Sequence, residues 1–176
     1  SAAWVGSEAC RSCHEHEYAV WSSSAHARSI ESLRKERKEA ETDCLRCHVT
    51  GYGRPGGFPD GGRVRANEDL ARVGCESCHG PGGEHIKDGG ELPGGIVKLA
   101  DKCDSCVILQ ICGACHDEVN DPEFRFKVAD KINAQRHGSS REAASTARCS
   151  SMICSGSRRL VIPKSRKATR PSSISR

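Results

Sequence analysis

Residues 10–26 read CRSCHEHEYAVWSSSAH and contain two cysteines and three histidines. The stretch opens with the pattern C-x-x-C-H, formed by Cys10, Cys13 and His14. Three further copies of the pattern follow, and we call the four copies motifs I to IV. Motif II is Cys44, Cys47 and His48, motif III is Cys75, Cys78 and His79, and motif IV is Cys112, Cys115 and His116.

The C-x-x-C-H spacing is the attachment signature of c-type haem. Each of the two thiols forms a thioether bond to the porphyrin edge, and the histidine then lies beneath the iron as its proximal ligand. Zinc ribbons and disulfide scaffolds also use cysteine pairs, but neither requires a histidine after every second cysteine. The motifs therefore predict four covalently attached c haems, held by the eight motif cysteines, with iron bound by His14, His48, His79 and His116.

The composition fits a chain that packs around cofactors. The 176 residues are 36% hydrophobic and only 4% aromatic, which is little for a core of this size. Four porphyrins would supply the missing apolar surface. The sequence has no run of eighteen apolar residues, so we expect no transmembrane segment. It begins SAAWVG without an initiator Met, as expected of an exported protein after removal of its signal.

Charge divides the chain into two parts. Residues 139–176 carry nine Lys or Arg and a single acid, whereas residues 1–138 carry 18 basic and 22 acidic side chains. We predict a tetrahaem cytochrome domain over 1–138 and a basic, Ser/Arg-rich tail over 139–176, disordered or loosely attached. Translation in the wrong frame would give the same abrupt change, and a basic tail can also bind acidic partners.

The four histidines outside the motifs are candidates for the distal iron ligands. Four haems with two axial imidazoles each require eight histidines, and the chain has eight. The single methionine, Met152, lies in the tail, so Met ligation is disfavoured. The predicted distal ligands are His16, His26, His85 and His137.

Local sequence favours two of these ligands. His26, Ile30 and Leu33 follow the spacing of one helix face, which places His26 on a buried stripe. His85 follows the loop of residues 80–83, GPGG, which breaks a helix and turns sharply. Because so short a loop cannot reach around a porphyrin, we expect His85 to bind a different haem from His79.

The predictions for His137 and His16 depend on different arguments. A helix is predicted to begin with Asp121 as N-cap and to end at Gly138, with an apolar stripe at Phe124, Val128 and Ile132, which puts His137 at its terminus. His16 is two residues from His14, so the two cannot clamp one iron. His16 is either the ligand of another haem, in this chain or a neighbouring one, or a surface histidine.

The motifs together resemble a known family. CRSCHEHEYAVWSSSAHA, CLRCHVTGYGRPGGF and GCESCHGPGGEH resemble the multihaem cytochromes that include the tetrahaem acceptor of hydroxylamine oxidoreductase, and CGACHDEVNDPEFRF fits their last haem segment. The resemblance covers about residues 4–137. It implies a mainly α fold with much irregular structure, wrapped around four closely packed haems with little or no β-sheet. It also implies that His26 and His85 are distal ligands.

The same signature is similar to extracellular tetrahaem cytochromes that polymerise into conducting filaments (OmcE-type). In such filaments a histidine just after the first motif can bind a haem of the next subunit, and His16 occupies that place. In the hydroxylamine-linked member one haem lacks a distal ligand, and the count of eight histidines here differs from that. This difference argues against an open site for substrate reduction.

Four cysteines remain outside the motifs: Cys103, Cys106, Cys149 and Cys154. Val107 follows the C-x-x-C of the first pair, so no proximal ligand is present and a fifth haem is not expected. Three disulfide pairings and a Cys₄ zinc site all remain open.

The sequence predicts an electron carrier rather than an enzyme, located in the periplasm or at the cell surface. A filament subunit is favoured over a soluble shuttle, with other redox proteins, extracellular acceptors or further copies of the chain as partners. The alternative is a small reductase with one open haem, in which His16 with Arg11 or Tyr18 would act as acid or base.

Overall fold

The computed structural model describes residues 3–97, 99, 110–124 and 128–137. The tail over 139–176, the stop at Gly138 and the four cysteines outside the motifs lie outside the described residues, so the predictions about them stay predictions. Among the described residues, no helix is long and apolar enough to cross a membrane.

The described chain consists of short helices joined by turns, without a β-strand. The α-helices are α1 (Glu15–Ser23), α2 (Ser29–Lys35), α3 (Thr42–His48), α4 (Cys75–His79), α5 (Gly83–Lys87) and α6 (Val128–Gln135). Single 3₁₀ turns lie at Ser7–Cys10, His26–Arg28, Val64–Ala66 and Glu68–Leu70, and residues 110–113 are helical. The predicted mainly α fold with much irregular structure is confirmed.

The apolar core is small and lies beside motif II. Ile30 and Leu33 of α2 are buried as predicted. His26 was predicted on the same helix face, but it lies in the preceding 3₁₀ turn and is half-buried. Ile30 and Leu33 pack in one cluster with Leu45 of α3 and with residues of the following loop, namely Val49, Phe58, Val64 and Ala71. The core therefore fixes α3, the helix that carries His48.

A buried carboxylate joins motif III to the N-terminal segment. Glu76, the second residue of α4, is 2% exposed. Its two oxygens accept hydrogen bonds from the backbone N–H groups of Val5, Gly6 and Gly82, at 2.7–3.1 Å. The segment that leads into motif I is thereby held against the helix that carries motif III.

Glycines permit two close approaches of the backbone. Gly51 has φ 67°, and a Cβ at this position would lie 2.8 Å from the ring of Trp4. Gly80 ends α4 with φ 84°, which confirms the sharp turn predicted after His79. The chain becomes helical again sooner than predicted, because α5 begins at Gly83.

The helix predicted after Asp121 differs from the observed one. Residues 121–124 form a turn, and α6 runs from Val128 to Gln135, so it ends before His137. The carboxylate of Asp121 accepts hydrogen bonds from His116 and Lys131. The interpretation of Asp121 as the N-cap of this helix was wrong, because the described helix begins at Val128 and the Asp121 carboxylate bonds to two side chains instead.

Candidate functional site

Each C-x-x-C-H motif forms about one turn of helix. In motifs I and IV the backbone N–H of the histidine donates a hydrogen bond to the backbone carbonyl of the first cysteine, at 3.0 and 2.9 Å. Motifs II and III lie on α3 and α4, and both helices end at the motif histidine. Residues at i, i+3 and i+4 share one side of a helical turn, so both thiols and the imidazole point the same way.

Three histidine rings are oriented by backbone carbonyls. The Nδ1 atom of His48 lies 2.8 Å from the carbonyl oxygen of Ser29, and that of His79 lies 2.8 Å from Val97. His85 makes the equivalent contact of 2.7 Å with Leu92. A carbonyl can only accept, so Nδ1 carries the proton and Nε2 keeps its lone pair for a metal.

The fourth oriented ring, that of His116, bonds to a carboxylate. Its Nδ1 lies 2.8 Å from Oδ2 of Asp121, and Phe124 stacks on the ring at 4.8 Å. Hydrogen bonds from Lys131 and His116 hold the pKa of Asp121 below its usual range.

The structure brings histidines of distant sequence together in three pairs. The ring centres of His14 and His85 are 6.3 Å apart, those of His26 and His116 are 5.9 Å apart, and those of His79 and His137 are 6.0 Å apart. Each pair joins one motif histidine to one histidine outside the motifs. Burial lowers the pKa of His26, which favours the neutral imidazole that metals require.

The two remaining histidines are not paired in this way. Among the described residues, neither His16 nor His48 has another aromatic or imidazole ring within pairing distance. His16 is exposed on α1. Arg11 and Tyr18, the predicted helpers of an open site, both bond to Glu8, at 3.1 and 2.6 Å.

Cysteine contacts show which motifs are neighbours. A hydrogen bond with Cys75 raises the pKa of Cys10, and the same bond lowers the pKa of Cys75 to about 7. Burial and a hydrogen bond with Cys47 raise the pKa of Cys115 to about 12. Burial, with a smaller effect of nearby Cys112, raises the pKa of Cys78 to about 11. Motif I thus adjoins motif III, motif III adjoins motif IV, and motif IV adjoins motif II.

The site fits covalent haem better than a disulfide framework or a zinc centre. The six cysteines of motifs II to IV form no disulfide. Within the part of the chain that the structure describes, no group of three or more His, Cys, Asp or Glu converges as a zinc site would require. Leu92 and Val97, whose carbonyls orient His85 and His79, are 63% and 44% exposed, as expected of residues that a porphyrin would cover.

Hydroxyl groups that carry no sequence signal also support the site. The N–H groups at the start of α4 are capped from other segments: Gly74 donates to Thr50 Oγ1 and Cys75 to Ser7 Oγ. Ser29 Oγ donates to the carbonyl of His48. These contacts join segments far apart in sequence, so local pattern could not reveal them.

Comparison with known proteins shows which family the motifs are similar to. The family model of cytochrome c554 and c-prime matches residues 9–80, which include motifs I to III. Over this stretch the chain is similar to that family. The prediction of four covalently attached c haems is confirmed. The narrower resemblance to the hydroxylamine-linked or OmcE-type proteins stays a prediction.

The chain is also similar to individual proteins. Cytochrome c-554 of Nitrosomonas europaea is 34% identical over 140 residues, which are 65% of this chain and 58% of that protein. The chain thus spans less than two thirds of this relative's length. The solved structure of reduced cytochrome c554 from the same organism matches at 34% identity and a TM-score of 0.41, covering 50% of this chain and 48% of that one.

Proposed function

We propose that this protein is a tetrahaem electron carrier, in which the eight motif cysteines attach the haems and the motif histidines are proximal iron ligands. The observation that supports the proposal is the set of three histidine pairs. Every pair combines a motif histidine with one outside the motifs, as bis-histidine ligation requires.

The pair distances suit ligation of one iron from two sides. An imidazole nitrogen lies about 2 Å from the metal it binds, so two rings on opposite sides of a metal ion have centres about 6 Å apart. The three observed separations are 5.9, 6.0 and 6.3 Å. Aromatic side chains in direct contact can have similar spacings, so the distances support the assignment together with the composition of the pairs.

The pairs assign a distal ligand to three motifs. His85 would serve motif I, His137 motif III and His26 motif IV. His85 therefore lies by a different haem from His79, in agreement with the short GPGG loop. With both axial positions occupied by protein, these three sites offer no open position for a substrate, which favours a carrier over an enzyme.

Haem c supplies a reversible one-electron iron couple when it is bound. The chain determines the order of the attachment sites, which the cysteine contacts give as I, III, IV and II. Hydrogen bonds link thiols of motifs I and III and thiols of motifs IV and II, and a thiol of motif IV acts electrostatically on one of motif III, so the chain would hold the attached groups side by side. Such a row supports passage of electrons between motif I at one end and motif II at the other.

A filament subunit is the second candidate. His48 lacks a histidine opposite it among the described residues, while His16 is exposed on α1. If His16 of a neighbouring copy bound the motif II iron, it would supply the second axial ligand opposite His48. The finer likeness to OmcE-type cytochromes, an exported location in the periplasm or at the cell surface, and partners among redox proteins or extracellular acceptors all belong to this proposal.

The first experiment is haem quantification combined with low-temperature electron paramagnetic resonance on the oxidised protein. We expect four haems per chain, of which at least three are low-spin at every protein concentration. Fewer than three low-spin haems would contradict the histidine pairs.

The motif II haem then distinguishes the two candidates. In a filament it becomes low-spin as the protein assembles, and His16→Ala abolishes both the conversion and the assembly. In a shuttle its spin state is independent of concentration, and sedimentation shows a monomer.

A further inference from the structure

Among the described residues, Asp121 makes a contact with a motif histidine that is not seen at the other three motifs. Its Oδ2 lies 2.8 Å from Nδ1 of His116 and 2.8 Å from Nζ of Lys131. Phe124 stacks on the same imidazole at an angle of 19°. The side chains of His116 and Asp121 are only 28% and 19% exposed, so the contact is partly withdrawn from water.

The other oriented histidines bond to neutral groups. His48, His79 and His85 all donate to backbone carbonyls at 2.7–2.8 Å. A hydrogen bond to a carboxylate is roughly twice as strong as one to a neutral acceptor. An acceptor on the outer nitrogen also raises the basicity of the nitrogen that binds the metal. His116 is therefore the strongest electron donor of the four rings.

We propose that Asp121 is a positioning residue that lowers the reduction potential of the haem at motif IV. The inference rests on the proposed ligation of that haem by His116. A more basic imidazole stabilises ferric iron over ferrous iron, and a nearby negative charge acts in the same direction. Motif IV lies between motifs III and II, so Asp121 acts on an inner position that electrons must pass.

Lys131 opposes this effect. It donates to the same oxygen as His116 and brings a positive charge close to the site. Removal of Lys131 leaves Oδ2 to the imidazole alone, which strengthens that bond. Two substitutions at one contact should therefore shift the potential in opposite directions, whereas mere loosening of the structure would not.

The test is a potentiometric titration of the haem-loaded protein in which each low-spin signal is followed by electron paramagnetic resonance. We expect one signal to be reduced at a higher potential in Asp121→Asn and at a lower potential in Lys131→Met, with the other signals unchanged. Asp117→Asn is the matched control. It removes the same charge next to His116, but that carboxylate bonds the backbone of Val119 and Asn120. Its shift should be smaller.

Unchanged potentials in Asp121→Asn would overturn the proposal. An equal shift in Asp117→Asn would also overturn it, because the loss of a negative charge would then explain the shift without the hydrogen bond to His116. Asp121→Asn could instead convert a haem to high spin, which would prevent a comparison of potentials in that variant. The potential measured in Lys131→Met then tests the proposal, and an unchanged potential in Lys131→Met would overturn it. A wild-type protein with fewer than four haems would contradict the proposed function itself, and haem quantification detects that separately.

Discussion

The imidazole rings of His14 and His85 lie 6.3 Å apart and within 24° of parallel, although His14 belongs to motif I and His85 follows motif III. Nδ1 of His85 is held by the carbonyl of Leu92, so its Nε2 remains for a metal. The pair shows how the chain brings together two histidines from segments that are distant in sequence.

Replacement of His85 by alanine should leave the motif I haem with one axial ligand. We expect one haem in four to change from low to high spin, while the haem content stays at four because the thioether bonds remain. Electron paramagnetic resonance of the oxidised protein measures both species. His16→Ala in dilute protein is the control and should leave the three low-spin signals in place; a wild-type spectrum for His85→Ala would refute the pairing.

Replacement of Glu76 by alanine should strongly destabilise the protein. Three backbone N–H groups, those of Val5, Gly6 and Gly82, would lose their acceptor in a largely buried setting, at a cost of about 3 kcal/mol or more in the free energy of unfolding. Guanidinium unfolding followed by circular dichroism checks this. Glu84→Ala removes an exposed carboxylate that pairs with the exposed Lys87, and its effect should be about 0.5 kcal/mol or less. Equal effects would argue against the buried contact.

Two glycines allow strain and steric clash to be separated. Gly51 and Gly53 have φ values of 67° and 65°, but a Cβ meets Trp4 at position 51 and nothing within 4 Å at position 53. Gly53→Ala should cost about 1 kcal/mol of stability from the left-handed backbone alone. Gly51→Ala should cost clearly more, since the Trp4 ring must also move. Similar unfolding midpoints for the two variants would show that Trp4 yields freely.

The chain made without haem attachment should not fold. Its apolar cluster surrounds only motif II, and a core this small does not offset the loss of chain entropy. Far-UV circular dichroism should show little helix, and the fluorescence of Trp21, which is buried and bonded to Val73 in the fold, should indicate exposure to water. The haem-loaded protein is the reference, and a cooperative unfolding transition of the haem-free chain would contradict the expectation.

Sequence revealed the features that repeat or follow helical spacing. The four motifs, the buried Ile30 and Leu33, and the turn at Gly80 were all predicted, because each depends on residues close together in the chain. The roles of Glu76 and Asp121 were not. Glu76 acts through N–H groups of remote segments, and Asp121 resembles an N-cap until the positions of His116 and Lys131 are known. Which histidines pair likewise depends on the tertiary path.

The crossed histidine pairs bear on biogenesis. Under the proposed ligation, a chain that emerges from its N terminus and acquires its first haem at once lacks His85 until the residues after motif III have emerged, and His26 waits still longer for His116. Maturation from the N terminus onward therefore proceeds through intermediates with exchangeable axial positions. His137 is the partner of His79, so truncation just before it would leave motif III exposed to foreign ligands even in a chain with every thioether bond in place.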